Sequence, residues 1–267
     1  MLLLTIVNSR LINILTEEYH AKGITAKRID KKKQDAPGGL TRRNKMLLAA
    51  VKLFLENGYE KTTTAAIARK AGMAPSSFFA AFENKEALLL ALTKRMFTCQ
   101  FETTAKILKK DEDPLHTYVV QTVLQLYIAE LSEPIREVYT MAYSLPSTME
   151  FIYRETAEKW RQIFQRYVPE CGLKDFYEME IASAGMMRGF MAKKCDLYFT
   201  MEQKIWRFLY CNCLLYKVPD ETREQLTEFV LHMDLKPIAE QIIVETVREA
   251  EAGLEAAMTD RTQKTTT

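Results

Sequence analysis

The chain has 267 residues, 48% of them apolar and 27% charged, with 9 glycines and 8 prolines. That composition supplies a real core and excludes both an integral membrane protein and wholesale disorder. The net charge of +2 hides a split: residues 1–40 carry 7 Lys and Arg against 4 acids, residues 41–92 carry 8 against 4, and residues 93–267 carry 22 against 27. A polyanionic partner would therefore meet the basic N-terminal third, unless that face is merely solvated.

Residues 1–40 read as an extension outside the folded domains: an apolar-biased start, a Lys/Arg-rich stretch from Lys22 to Lys33, then the joint Asp35-Ala36-Pro37-Gly38-Gly39. It is either a phosphate-seeking arm or an artefact of a misassigned start. Its apolar run Met1–Val7 is too short to span a bilayer, and no positive n-region precedes it. The expectation is a cytoplasmic protein with no stable membrane insertion. The five cysteines (Cys99, Cys171, Cys195, Cys211, Cys213) are odd in number and read as reduced thiols. Cys211 and Cys213 would lie about 200° apart around a helix, so they cannot chelate one metal together.

From Thr41 the chain reads as helix nearly throughout, so the expected class is all-α. Leu47, Ala50, Val51, Phe54 and Leu55 form one apolar stripe, which predicts an amphipathic helix over Arg43–Asn57, stopped by Gly58. Thr62 or Thr63 can cap a short second helix, Thr64–Ala71, ended by Gly72. Pro75 suits the first turn of a third helix running to about Phe82. Asn84 then caps a fourth helix entering at Lys85, with Leu88, Leu89 and Leu92 on its inner side. Two short helices around a glycine turn, braced on either side, form a helix-turn-helix. Small Ala68 and Ala71 let the second and third helices cross closely. Phe78 and Phe82 are read as core anchors, leaving the outer face of the third helix for a major groove about 12 Å wide.

The residues Ala49-Ala50, Leu53-Phe54, Asn57-Gly58-Tyr59, Thr62-Thr63, Ile67-Ala68, Ala71-Gly72-Met73, Ser77-Phe78-Phe79, Phe82, Asn84-Lys85-Glu86 and Leu88 carry a resemblance to the TetR/AcrR family of transcriptional regulators. The resemblance implies a homeodomain-like three-helix head over residues 41–92 and a TetR-like ligand-binding and dimerisation domain over residues 93–258, with 259–267 a disordered tail. By position it implies that Pro75, Ser76, Ser77, Phe79 and Ala80 face double-stranded DNA, and that Thr63 meets a phosphate. Lys85 is either a second phosphate contact or a plain surface lysine. Arg42 and Arg43, just before the first helix, can reach the backbone or the minor groove. Three residues depart from the family pattern. Phe79 stands where a tyrosine often touches phosphate, Ala74 where a Ser or Thr often caps the recognition helix, and Ala80 where a polar or basic residue is common. No Lys or Arg on that helix is available to read guanine.

Beyond Leu92, prolines and glycines divide helical segments at 93–109, 114–131, 134–145, 147–168, 176–195, 200–217, 222–232 and 236–257. The stretches 176–195 and 200–217 are candidates for a homodimer interface or for ordinary core. Tyr118, Tyr127, Tyr139, Tyr143, Trp160, Phe164 and Met187 suit the walls of a pocket for an apolar or planar small-molecule effector, or a simple core. Arg188 either binds an anionic ligand or points outward. There is no phosphate-binding glycine loop, nucleophile elbow or metal-ligand cluster, so no catalytic residue, metal or cofactor is expected. The function expected is a ligand-responsive transcriptional regulator, a repressor binding a pseudo-palindromic operator as a dimer. The alternative is an interaction or ligand-sequestering protein on the same scaffold.

Overall fold

The computed structural model describes residues 41–108 and 113–264. The expected extension at 1–40 and residues 265–267 of the expected tail lie outside them. The described residues form ten α-helices and one 3-10 turn: α1 (Arg42–Asn57), α2 (Thr64–Lys70), the 3-10 turn Pro75–Phe78, α3 (Lys85–Ile107), α4 (Pro114–Leu131), α5 (Glu133–Ala142), α6 (Pro146–Phe164), α7 (Leu173–Ala192), α8 (Met201–Leu215), α9 (Asp220–Leu231) and α10 (Leu235–Lys264). They fall into two compact units. Among the described residues, one gathers 41–53, Thr62–Lys85 and 244–264; the other holds Phe54–Lys61, 86–108 and 113–243.

In the first unit the local signals act as read. Thr63 caps α2 by accepting a hydrogen bond from Ala66 N at 3.1 Å. Gly72 adopts φ +72°, and Met73 N donates to Ala68 O at 2.9 Å, closing the α2 terminus. Gly58, in the second unit, ends α1 at φ +83°, its N donating to Phe54 O at 2.9 Å. The third element departs from expectation. It is a single 3-10 turn over Pro75–Phe78 rather than a helix to Phe82, with Ser77 N bonded to Ala74 O and Ala81 N to Phe78 O. Ala74 supplies no side-chain cap, so nothing fixes an α-helical first turn there.

The second unit is built around α4. This helix is apolar on nearly every side, with Leu115, Val119, Val120, Val123, Leu124, Leu126 and Ile128 all buried, the pattern of a helix surrounded by others. α3 is continuous across residue 92, where two helices were expected, because no Gly or Pro interrupts it. A charged cluster pins the segment between α7 and α8. Lys204, fully buried, donates to Glu130 at 2.5 Å and to Lys193 O. Cys195 N donates to both Glu130 oxygens at 3.2 Å, and Arg136 pairs with Glu130 at 3.2 Å. Burial pushes the Glu130 carboxyl up, but the hydrogen bond and charge of Lys204, with the Cys195 amide and Arg136, outweigh it and hold the group below its ordinary 4.5.

Helix α10 begins in the second unit and its later part belongs to the first. It was assigned entirely to the C-terminal domain by sequence, and it runs to Lys264 where a tail was expected from residue 259. Nothing in Ala256-Ala257-Met258 stops it. Within the first unit it lies close to α1: a Cβ on Gly253 would stand 2.7 Å from Leu48 Cδ1, and Lys52 pairs with Glu251. Two outcomes follow. Gly253→Val lowers stability by about 1–3 kcal/mol in chemical denaturation, because buried Leu48 has to move. Lys204→Met costs about 3 kcal/mol at neutral pH by leaving Glu130 short of its closest cation. Since Glu130 is depressed when folded, the deficit shrinks as pH falls below 4.5, once the carboxyl protonates in both variants.

Candidate nucleic-acid interface and internal cavity

The 3-10 turn divides its residues by face. Phe78 and Phe82 are buried with ring centroids 5.9 Å apart, while Pro75, Ser76, Phe79 and Ala80 are exposed and Ser77 half-exposed. Phe79 is 64% exposed, a large apolar surface left to water beside a polar one. Arg42 is exposed. Arg43 is engaged: its Nη1 donates to Ala81 O at 2.7 Å and its guanidinium lies 4.1 Å over the Phe82 ring. It therefore fastens the first turn of α1 to the end of the recognition segment. Thr63 is exposed, and Lys85, half-buried, donates from Nζ to Thr62 O at 3.2 Å. The expected DNA-facing set is thus gathered in one unit, with Arg43 and Lys85 also bracing it.

In the second unit a cavity of about 20 Å³ opens among α3, α4, α6, α7 and α8. Tyr118, Tyr143, Trp160 and Met187 line it, as expected from sequence. Tyr127, Tyr139, Phe164 and Arg188 do not. Phe164 stacks behind the wall, 4.1 Å from the Tyr216 ring and 4.9 Å edge-on to Tyr118. Arg188 is exposed and donates from Nε to Ser144 Oγ at 2.7 Å. Tyr127 and Tyr139 are half-buried away from the cavity.

The polar lining was missed by sequence. Gln121, Thr122 and Gln125 come from α4, Thr156 from α6, and Glu180 and Ser183 from α7. Tyr143 donates to Gln125 Oε1 at 2.9 Å, and Ser183 to Asn212 Oδ1 at 2.9 Å. Glu180 is 2% exposed. Burial pushes its carboxyl up to about 7, although Thr156, Tyr216, Ser183 and Trp160 offer hydrogen bonds that pull it down. Glu180 was detectable: it sits four residues after Phe176 and four before Ala184, both buried, so a carboxyl occupies a core position of the helical repeat. The Tyr118 hydroxyl is buried with no hydrogen-bond partner among the described residues. No group of His, Cys, Asp and Glu among the described residues is placed to hold a metal, and no described helix is long and apolar enough to cross a membrane.

Residues 46–92 match the family model for bacterial regulatory proteins of the tetR family. Two uncharacterized HTH-type transcriptional regulators of Bacillus subtilis are similar. YvdT is 29% identical over 126 residues, 46% of this chain and 59% of YvdT. YuxN is 33% identical over 114 residues, 42% of this chain and 38% of YuxN. The match thus spans less than two thirds of either relative. Among solved structures, SmeT, the repressor of the Stenotrophomonas maltophilia multidrug efflux pump SmeDEF, aligns over 64% of this chain and 88% of its own, at 17% identity and a TM-score of 0.46. The model match spans the observed helix-turn-helix, and in that domain the chain is similar to bacterial regulatory proteins of the tetR family.

Proposed function

We propose that the protein is a ligand-responsive transcriptional regulator that represses by binding a pseudo-palindromic operator as a homodimer. The observation that carries the DNA-binding part is the face of the 3-10 turn. Ser76 and Ser77 can reach base edges and Phe79 can cover a thymine methyl, while Thr63, Lys85 and Arg42 meet phosphates. An aromatic ring two-thirds exposed is costly on a free surface and useful in a groove.

Dimerisation is supported by α7 and α8. Ile181, Trp206 and Leu214 are exposed, Gly185 and Gly189 have open space above them, and Trp206 stacks on Tyr210 at 5.3 Å. Small residues beside large apolar ones let two helices approach closely. Two copies of the recognition turn would read half-sites about one helical turn, 34–36 Å, apart.

The effector enters the cavity of the second unit. At about 20 Å³ it has room for one water molecule, so any organic effector must push its walls apart. A ligand that fits only the widened form shifts the population towards it, by no more than its differential affinity. α6 lines the cavity with Ile152, Thr156 and Trp160, and at its start Ser147 donates from N and Oγ to Glu86, the residue after Lys85.

Anisotropy measurements with the upstream intergenic DNA and a scrambled competitor test this. The expected result is competitor-resistant binding that weakens steeply with salt. Phe79→Ala loses about tenfold on the operator and little on the scramble. Lys85→Ala weakens both alike and lowers the salt slope by about one. Equal binding of operator and scramble by the unaltered chain would overturn the operator reading in favour of a sequestering role.

A further inference from the structure

We propose that the cavity of the second unit selects a cationic effector, an organic amine or quaternary ammonium compound, with Glu180 as its counter-charge and the surrounding aromatic rings as its walls. The inference deepens the effector reading above and rests on it.

The charge balance of the cavity carries the assignment. Glu180 is buried and lines it, and no lysine, arginine or histidine is among the lining residues. Its polar neighbours are neutral. Tyr216 donates from its hydroxyl to Oε1, and the neutral polar side chains of Thr156, Ser183 and Trp160 lie beside it, the two hydroxyls donating to Ile152 O and Asn212 Oδ1. A buried carboxyl with neutral neighbours and no opposite charge is a poor neighbour for an anion and an incomplete one for itself. Such a site gains most from a ligand that brings the missing positive charge. Near neutral pH burial leaves the empty-site carboxyl only partly ionised, and a bound cation restores the ionised form.

Two further features point to the same ligand class. The Tyr118 hydroxyl, buried without a partner among the described residues, lines the cavity and can accept from an ammonium N–H. The walls are aromatic: the Tyr118 and Trp160 rings meet edge-on at 5.0 Å, and Tyr143, Phe97 and Phe208 complete them. Aromatic faces attract organic cations where water is excluded. Met187, also in the lining, is flexible enough to let the walls part.

The test uses two molecules of one shape and different charge, phenyltrimethylammonium and its uncharged carbon isostere tert-butylbenzene, measured by equilibrium dialysis against the full chain. The expected result is that the cation binds tighter by about tenfold or more. Glu180→Gln, which keeps the shape and one acceptor oxygen for the Tyr216 hydroxyl, removes that preference while leaving tert-butylbenzene within about twofold. Equal binding of the two molecules by the unaltered chain, a comparison that needs no variant to fold, overturns the charge assignment and leaves the effector cavity standing. A cation preference that survives in Glu180→Gln overturns Glu180 as the counter-charge. Binding of neither molecule overturns both the assignment and the cavity as an effector site.

Discussion

A carboxyl group held out of water sets the terms for the helical unit. Glu180 faces inward from the middle of α7, and moving a carboxylate into an apolar interior costs several kcal/mol unless its oxygens are satisfied. Tyr216 at the end of α8 donates a hydrogen bond from its hydroxyl to Glu180, and Thr156 and Trp160 from α6 and Ser183 one turn along α7 surround it with polar groups. Each group must hold its place, so its backbone must as well. The rings follow. Tyr216 stacks on Phe164 at 4.1 Å, Phe164 meets Tyr118, and Tyr118 meets Trp160. A leucine at position 180 would pack with less demand on its neighbours, so the carboxyl is a place where local consistency has been given up, and such places are where function is found.

The Glu130 cluster solves a similar problem with the opposite result. There Lys204 and Arg136 bring full charges, the carboxyl stays below its ordinary value, and the group has nothing left to attract. The two carboxyls differ in burial and, above all, in the presence of a cationic partner. One is closed by charge; the other has neutral neighbours and is open in charge. That contrast separates a strut from a site more surely than burial alone.

How much of this was legible in sequence depends on the range of the forces. The head was readable because its determinants are local: Gly58 and Gly72 at positive φ, Thr63 as a cap, and Phe78 and Phe82 one turn apart. The third helix was overextended because Pro75 signals a start but Ala74 supplies no cap, and propensity does not distinguish a 3-10 turn from an α-helix. In the larger unit, helix bounds were close because prolines mark them, whereas the cavity was only half visible. Searching for aromatics and methionines found Tyr118, Tyr143, Trp160 and Met187 but also Tyr127, Tyr139 and Phe164, which pack elsewhere. The polar lining depends on which helices meet, and that is a long-range property. Glu180 alone left a local trace, a charge in the buried register of α7.

The smallness of the cavity ties its chemistry to its consequence. A roomy pocket could take a ligand without moving, and such a ligand would shift no equilibrium. Here little more than a water fits unless the walls move, and α6, one of those walls, also carries Ser147, which holds Glu86 by two hydrogen bonds. Widening the walls costs packing, because close-packed side chains lose their contacts when separated. A neutral ligand must recover that loss from apolar burial alone. A cation recovers it from a carboxyl whose charge the empty protein leaves uncompensated, so the electrostatic gain arrives only in the widened state. Differential affinity of that kind is what a switch requires, and it makes the buried charge and the lack of space two halves of one device.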